Sequence, residues 1–164
     1  MKNKIASIIF GLFLLSCTGQ KKAVNNAMGD EKLAIISNPE YTKYILGKTY
    51  EMWKPEESDL KKVNEILSKA ISDNQFYFLK TKEISEIKKN YRQYLCYINE
   101  KGEKIIYVNS MCELFTDYDK NNKPVIFDWK HEMTKTADGG SCYWNIKINI
   151  TTNTYYDLMI NGIS

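Results

Sequence analysis

The chain has 164 residues, with 23 lysines and arginines against 20 aspartates and glutamates, and this length supports a single domain. A hydrophobic fraction of 43%, including 13% aromatic residues, is sufficient for a buried core and excludes a disordered chain. The excess positive charge lies near the amino terminus, because residues 38–164 carry equal numbers of basic and acidic side chains. A neutral domain does not attract a phosphate backbone, so we expect no nucleic acid among its partners.

The first seventeen residues have the pattern expected of an export signal. Lys2 and Lys4 precede an apolar run, Ile5–Leu15, that is much shorter than the roughly 20 residues a membrane-spanning helix needs. This combination is typical of a secretory signal peptide, which we assign to residues 1–16. The run ends in Leu-Leu-Ser followed by Cys17, and this ending resembles the lipobox of bacterial lipoprotein precursors.

The resemblance implies a lipid anchor. In this class a diacylglyceryl group is transferred to the cysteine thiol, here that of Cys17, the chain is cleaved before it, and the new amino group is acylated. Each buried methylene contributes about 0.8 kcal/mol, so two or three acyl chains hold a protein stably at a membrane. Thr18 at the second mature position favours the outer membrane under the sorting rule of the class. We therefore expect a cell-envelope location, on a periplasmic or a surface face.

Behind the anchor we predict a tether and one domain. Residues 17–37 are polar and are expected to form the lipidated, flexible tether, while residues 38–164 form the domain. Tyr41–Leu46 and Thr49–Trp53 are rich in Tyr, Ile and Thr, which predicts one or two extended segments. A helix is predicted to begin near Pro55, because apolar residues then recur with a 3.6-residue period. They are Leu60, Val63, Ile66, Leu67, Ala70 and Ile71.

The remainder of the domain has the pattern of antiparallel strands. Tyr91–Asn99 and Lys104–Cys112 flank a turn that contains Gly102. Pairing Asn99 with Lys104 places Cys96 and Ile106 on opposite faces of this hairpin. Further strands are predicted over Val125–Met133, Ser141–Ile150 and the last ten residues. The predicted inward rows are Val125, Phe127, Trp129 and His131, then Cys142, Trp144, Ile146, Ile148 and Ile150, and finally Tyr156, Leu158 and Ile160.

These elements predict an α+β fold with one main helix packed on a four- to five-stranded antiparallel sheet. The order β-α-β-β-β-β resembles the cystatin-like arrangement, and a cone similar to nuclear transport factors is the alternative.

The cysteines suggest one disulfide. With Cys17 assigned to lipid, Cys96, Cys112 and Cys142 remain, an odd number for an oxidising compartment. In the predicted register Cys96 and Cys112 lie on opposite faces of one hairpin, where a disulfide cannot form. Cys142 lies on an inward row, so the candidate disulfide joins Cys112 and Cys142. The alternative is three buried thiols that act as small apolar groups.

Catalytic and metal sites have weaker support. His131 is the only histidine and could lie near Cys142, but no helix begins before Cys142 to lower the pKa of its thiol. Residues 117–128 resemble a calcium-binding EF-hand loop, yet Asn122 stands where the loop needs glycine and Asp128 where it needs a bidentate glutamate. We therefore predict no metal and no cofactor, and we favour a protein that is not an enzyme.

A second resemblance concerns the domain itself. It rests on Arg92-Gln93-Tyr94, on Asn109 with Cys112, on Asp138-Gly139-Gly140-Ser141-Cys142 and on Asn161-Gly162. Together these residues resemble a family of small secreted bacterial proteins without an assigned activity, over roughly Glu51 to Ser164. The resemblance implies a fold and no function. The candidate binding residues are Arg92, Asn109, Asp138, Gly139 and Gly140.

We expect a lipid-anchored, non-catalytic binding or scaffolding module of the cell envelope. Its partner would be another envelope protein or a glycan. The alternative is a protein that binds a small ligand, or acts as an enzyme, through a pocket between the helix and the sheet.

Overall fold

The computed structural model describes residues 30–162, in which three helices accompany a mixed, mostly antiparallel sheet of six strands. The predicted signal peptide and the predicted lipidation site Cys17 lie outside these residues. The α+β class is confirmed, with more strands than predicted and with one parallel pair. In chain order the elements are β1 (Leu33–Ile36), α1 (Glu40–Leu46), β2 (Glu51–Met52), α2 (Glu57–Ser72), α3 (Ile84–Lys88), β3 (Tyr91–Ile98), β4 (Lys104–Met111), β5 (Thr116–Tyr118), β6 (Pro124–Ile126), β7 (Tyr143–Asn149) and β8 (Thr154–Ile160).

Helix α2 supplies the main core. At its start the carboxylate of Asp59 accepts a hydrogen bond from the backbone amide of Glu56 at 2.9 Å, which satisfies one of the free amides of the first turn. Its apolar stripe packs on an inward row of β7, where Trp144, Ile146 and Ile148 are at most 1% exposed. Both the helix and this inward row were predicted and are confirmed. None of the helices within residues 30–162 is long and apolar enough to cross a membrane.

The β3–β4 hairpin has a register one residue away from the predicted one. Ile98 pairs with Lys104, and Cys96 lies directly opposite Ile106 on the α2 face. The predicted separation of Cys96 and Ile106 onto opposite faces is therefore wrong. Asn99 explains the difference, because its side-chain oxygen accepts hydrogen bonds from the amides of Lys101 and Glu103, both at 2.9 Å. Asn99 belongs to the turn rather than to the strand.

The edge of β3 is completed by two short strands. β1 runs parallel to β3, with Leu33 opposite Arg92 and Ile36 opposite Leu95, and β2 continues the same edge in the antiparallel direction. The structure thus places Leu33–Ile36 in the sheet and not in the tether expected for residues 17–37. The physical reason is burial, since Ile36 is 0% exposed and Leu33 is 7% exposed.

Helix α1 replaces a predicted extended segment. Tyr41–Leu46 form its last turns, and the chain leaves the helix at Gly47, whose φ of 78° is a left-handed conformation. Tyr41 and Ile45 pack with the second face of the sheet, around Leu95 and Ile105. Side chains therefore cover the sheet on both faces at this end, with α2 on one side and α1 on the other.

Two other strand predictions need correction. Of the strand predicted over Val125–Met133 only β6 forms, and it pairs with β5 in a separate hairpin instead of joining the sheet. Asp119 closes that hairpin by accepting hydrogen bonds from the amides of Asn121 and Lys123, which lower the pKa of its carboxyl group.

In β8 a bulge at Asp157, with a φ of 52°, changes which side chains face inward. Tyr155, and not Tyr156, therefore accompanies Leu158 and Ile160 on the core side. Tyr156 turns to the opposite face of the sheet.

Candidate functional site

A groove of about 840 Å³ lies on the face of the sheet opposite α2, and we call it the open-face groove. Strands β4, β7 and β8 form its floor. The end of α1 at Leu46 and the segment 134–137, which we call the wall, also line the groove. This volume falls within the range of roughly 300–1,000 Å³ that is usual for small-molecule sites.

The register of the sheet fixes the order of the floor side chains. Asn109 on β4 lies opposite Asn145 on β7, which lies opposite Met159 on β8. One step along the strands, Lys147 on β7 lies between Tyr107 and Tyr156. Because alternate residues of a strand point to opposite faces, these two rows face away from the core under α2.

The wall at 134–137 is held by a buried glutamine. Gln93 is 0% exposed, and its Oε1 accepts hydrogen bonds from the backbone amide and the hydroxyl of Thr134, each at 3.0 Å. Its Nε2 donates to the carbonyls of Trp129 at 2.6 Å and of Glu132 at 2.7 Å. Every hydrogen-bonding position of this amide is used, so the segment 129–134 is fixed against β3.

Asn109, a candidate binding residue, takes part in the same network. Its Nδ2 donates to Oε1 of Gln93 at 3.0 Å and to the carbonyl and hydroxyl of Thr134 at 3.1 and 3.0 Å. Its Oδ1 enters none of the hydrogen bonds found among residues 30–162 and is left as an acceptor at the groove floor. Asn109 therefore has a structural role and a free oxygen.

A disulfide closes the same segment at its base. Cys112 and Cys142 are bonded, with Cα atoms 5.1 Å apart and a sequence separation of 30. Cys112 follows the end of β4, and Cys142 belongs to a single 3₁₀ turn that precedes β7. The free cysteine of the described residues is Cys96, which is buried, and burial raises the pKa of its thiol. Cys96 and Cys112 fall on the same side of the strand alternation, so the expectation that they lie on opposite faces was wrong. They are separated along the strands instead, because Cys96 pairs with Ile106 whereas Cys112 follows Met111, which pairs with Tyr91.

Gly139 and Gly140 shape the end of this segment. Both have positive φ, 94° and 56°, and a Cβ at Gly139 would lie 2.5 Å from the ring of Tyr143. The amide of Gly140 donates to the carbonyl of Gly162 at 2.8 Å. Glycine is needed here for backbone conformation and close approach, and neither residue lines the open-face groove.

Asn161 ties the same loop to the end of β8. Its Nδ2 donates to the carbonyls of Thr136 at 2.5 Å and of Asp138 at 3.2 Å. Asp138 is exposed and lies beyond the lining of the groove. In the sequence Asn161 is only one residue of a resemblance. Its role in holding the wall depends on contacts with Thr136 and Asp138 that no local sequence pattern predicts.

Arg92 lies away from the groove, on the α2 face of the sheet. It is 1% exposed, its Nη2 contacts a carboxylate oxygen of Asp30 at 2.7 Å, and its Nε donates to the carbonyl of Asn90 at 3.2 Å. Of the five candidate binding residues, the structure therefore brings only Asn109 into the open-face groove.

The groove is lined by one ion pair and by one lysine that has no carboxylate partner among residues 30–162. Lys147 contacts the carboxylate of Asp157 at 2.8 Å and lies 5.6 Å from the ring centre of Tyr156. Lys135 on the wall has its ammonium 5.5 Å from the ring centre of Tyr44. Burial raises the pKa of Tyr107 on the floor to about 12, so this phenol remains a hydrogen-bond donor at neutral pH.

Part of the interface between α2 and the sheet is filled by side chains. Val63, Leu67 and Ala70 are each 0% exposed against the inward rows of β3, β4 and β7. A second groove, of about 590 Å³, lies where the first half of α2 meets β1 and β3, and Leu60, Asn64, Arg92 and Tyr94 are among its lining residues. A pocket between the helix and the sheet, the alternative considered from the sequence, therefore has a candidate place there. The open-face groove lies on the other face.

The other candidate chemistry is dispersed. His131 is exposed and contacts the carboxylate of Asp128 at 2.9 Å, whereas Cys142 is committed to the disulfide. Within residues 30–162 no group of three or more His, Cys, Asp or Glu side chains is placed to hold a metal ion. The EF-hand-like segment forms the β5–β6 hairpin.

Comparisons with models of protein families, with curated proteins and with solved structures found no match to this chain.

Proposed function

We propose that the protein is a lipid-anchored, non-catalytic binding module of the cell envelope, and that the open-face groove is its ligand-binding site. The observation that carries this proposal is the contrast between the wall and the floor of the groove. The wall is tied down by the disulfide and by the side chains of Gln93, Asn109 and Asn161. The floor presents the side-chain amide of Asn145, which makes no hydrogen bond with any described residue.

Rigid walls favour binding because they reduce the entropy that a site loses when it orders around a ligand. Polar groups without partners favour binding because a ligand can replace the water that they hold. Two of the charged residues that line the groove, Lys147 and Asp157, neutralise each other, and this arrangement supports recognition of a ligand rather than proton transfer.

The proposed location rests on two independent features. The lipobox-like ending at Cys17 points to attachment through lipid, and the Cys112–Cys142 disulfide is of the kind that persists outside the reducing cytosol. We place the protein at the outer membrane because of Thr18. A cystatin-like arrangement is part of the same proposal, supported by one long helix packed on an open sheet.

Intact mass measurement of the full chain, expressed in a Gram-negative bacterium and extracted from its membranes, tests the anchor. We expect loss of residues 1–16 and the added mass of two or three acyl chains on Cys17. The Cys17→Ala variant should keep its signal peptide and carry no acyl group. An unmodified protein recovered from the soluble fraction would contradict the proposal.

A photo-crosslinking side chain introduced into the full-length protein tests the groove. We expect adducts from position Met159, which is 63% exposed at the rim, and few from position Tyr77, which is 72% exposed and follows α2. Equal adduct yields from the two positions in intact cells would argue against a specific ligand in the groove.

A further inference from the structure

We infer that the open-face groove binds a short, uncharged oligosaccharide. This inference rests on the proposed binding function and concerns the chemistry of the ligand.

Charge is the first reason. The ammonium of Lys147 is neutralised by Asp157 at 2.8 Å, and the ammonium of Lys135 faces the ring of Tyr44. Lys135 is then the one basic side chain of the groove without a carboxylate partner among residues 30–162, whereas an anionic ligand such as a phosphate ester is usually held by several basic groups, and a cation would require a carboxylate cluster. The groups of the floor that lack a partner among residues 30–162 are uncharged, so the complementary ligand is uncharged as well.

Hydrogen bonding is the second reason. Asn145 can offer both its donors and its acceptor, and Asn109 offers Oδ1 from the position directly opposite on β4. The hydroxyl of Tyr107 lies one row further along the floor and remains protonated at neutral pH. A row of groups that both donate and accept suits sugar hydroxyls, because each hydroxyl also does both.

The third reason is the apolar surface beside these groups. Met159 on β8 is 63% exposed, and Leu46 at the end of α1 adds apolar surface to the lining of the groove. A sugar ring presents C–H groups on its faces and hydroxyl groups at its edge. It can therefore pack on Met159 while its hydroxyls contact Asn145, the residue opposite Met159 in the sheet.

The same geometry disfavours an extended peptide. A peptide that adds to a sheet gains affinity through main-chain hydrogen bonds at an unpaired strand edge. The floor of the groove is instead the face of paired strands, since β7 is bonded to β4 on one side and to β8 on the other. A peptide lying on this face would leave its own main-chain groups without the regular ladder.

Calorimetric titration of the full-length, detergent-solubilised protein tests the inference. The probes are four neutral tetrasaccharides, built from glucose, mannose, xylose and N-acetylglucosamine, with tetragalacturonate as the charged probe and an uncharged hexapeptide as the peptide probe. We expect at least one neutral tetrasaccharide to bind. We expect tetragalacturonate to bind at least about tenfold more weakly, because the lysine on the groove floor, Lys147, is already paired with Asp157 and the one lysine on the wall cannot balance four carboxylates.

Substitutions locate the binding. Asn145→Ala should weaken binding of the neutral probe by about five- to tenfold, the usual effect of a lost hydrogen bond, and Met159→Ala should weaken it by a smaller factor. Asn64→Ala removes a side-chain amide from α2, on the opposite face of the sheet, and should leave the affinity for the neutral probe unchanged. Circular dichroism melts of all three variants should match that of the parent, so that a change in affinity is not a change in folding.

The remaining outcomes overturn the inference. Absence of binding by all four neutral tetrasaccharides would overturn it, as would binding of the hexapeptide alone. Binding that Asn145→Ala and Met159→Ala leave unchanged would remove the ligand from the groove. Crosslinking from position Met159 does not depend on the chemistry of the ligand. The proposed binding function would therefore be judged from that experiment and not from these titrations.

Discussion

Gln93 and Thr134 are joined by two hydrogen bonds to one oxygen atom, because Oε1 of Gln93 accepts from the backbone amide and from the hydroxyl of Thr134, each at 3.0 Å. The two residues are far apart in the sequence, on β3 and on the wall of the open-face groove. A buried side chain thus determines where an irregular segment lies, and the shape of the groove depends on it.

Gln93→Leu should destabilise the protein strongly. Leucine has a similar size but leaves the carbonyls of Trp129 and Glu132 and the amide of Thr134 without their partner. We expect a loss of about 2–4 kcal/mol in the free energy of unfolding, measured by urea denaturation. Gln75→Leu is the control, because the Gln75 side chain is exposed and makes one long hydrogen bond of 3.4 Å. Equal losses in both variants would show that the buried network contributes little.

Removal of the disulfide should lower stability and loosen the groove wall. The bond closes a segment of 30 residues, and loop entropy gives a contribution of about 4 kcal/mol. The double variant Cys112→Ser, Cys142→Ser should therefore unfold at lower urea concentration. Alkylation of the denatured, unreduced protein should modify one cysteine within residues 30–162, namely Cys96. Modification of all three would mean that the disulfide does not form.

Gly139→Ala and Gly102→Ala form a matched pair. Both glycines have positive φ, 94° and 75°, so each alanine costs about 1–2 kcal/mol in backbone strain. A Cβ at Gly102 meets no atom within 4 Å, whereas a Cβ at Gly139 meets the ring of Tyr143 at 2.5 Å. We expect Gly139→Ala to lose at least about 1 kcal/mol more than Gly102→Ala in urea denaturation. Indistinguishable midpoints would contradict the close approach of Gly139 and Tyr143.

Asp30→Ala should destabilise the domain although the residue precedes the predicted domain boundary. It would leave the guanidinium of Arg92, which is 1% exposed, without its carboxylate at 2.7 Å. Since the Asp30 side chain keeps 30% of its exposure, water can replace part of the interaction, and we expect a loss of about 1–3 kcal/mol. Glu31→Ala next to it is the control and should change stability by less than about 0.5 kcal/mol.

The protein should lose stability between pH 10 and pH 12. Burial raises the pKa of Tyr94 from 10.0 to about 12, and the hydrogen bond to Asp73 raises that of Tyr155 to about 12. The folded state keeps these two protons while the unfolded state releases them near pH 10. The contribution of the two phenols to the free energy of unfolding is therefore complete below pH 10 and is lost as the pH rises through 12. Tyr155→Phe should reduce the slope of unfolding free energy against pH. An unchanged slope would contradict the Tyr155–Asp73 bond.

The parts of the fold with a regular apolar pattern could be predicted. The stripe that includes Val63 and Leu67 and the inward row that includes Trp144 were both read correctly, because burial on one face imposes a fixed period on the sequence. The parts that failed depend on single polar side chains. Asn99 shifts a register by one residue, and Asp119 closes a hairpin that pairs Val125 with Asp117 instead of with the main sheet.

The open-face groove could not be predicted for a related reason. Its floor residue Asn145 lies on the polar side of an alternating strand, where a solvent-exposed residue is the ordinary interpretation. Only the position of the wall, set by Gln93, Asn161 and the disulfide, turns that face into a groove. The strand at Leu33–Ile36 was not predicted, because an apolar run of four residues is too short to distinguish a strand from a linker.

The position of β1 determines how the domain responds to traction on its amino-terminal end. Force applied there first meets the four residue pairs between β1 and β3 and the contact of Asp30 with Arg92. β7, which carries Asn145, is separated from β1 by two intervening strands. Such a force would therefore separate β1 from β3 first, and β7 with a ligand bound at Asn145 would keep its position while β1 detaches.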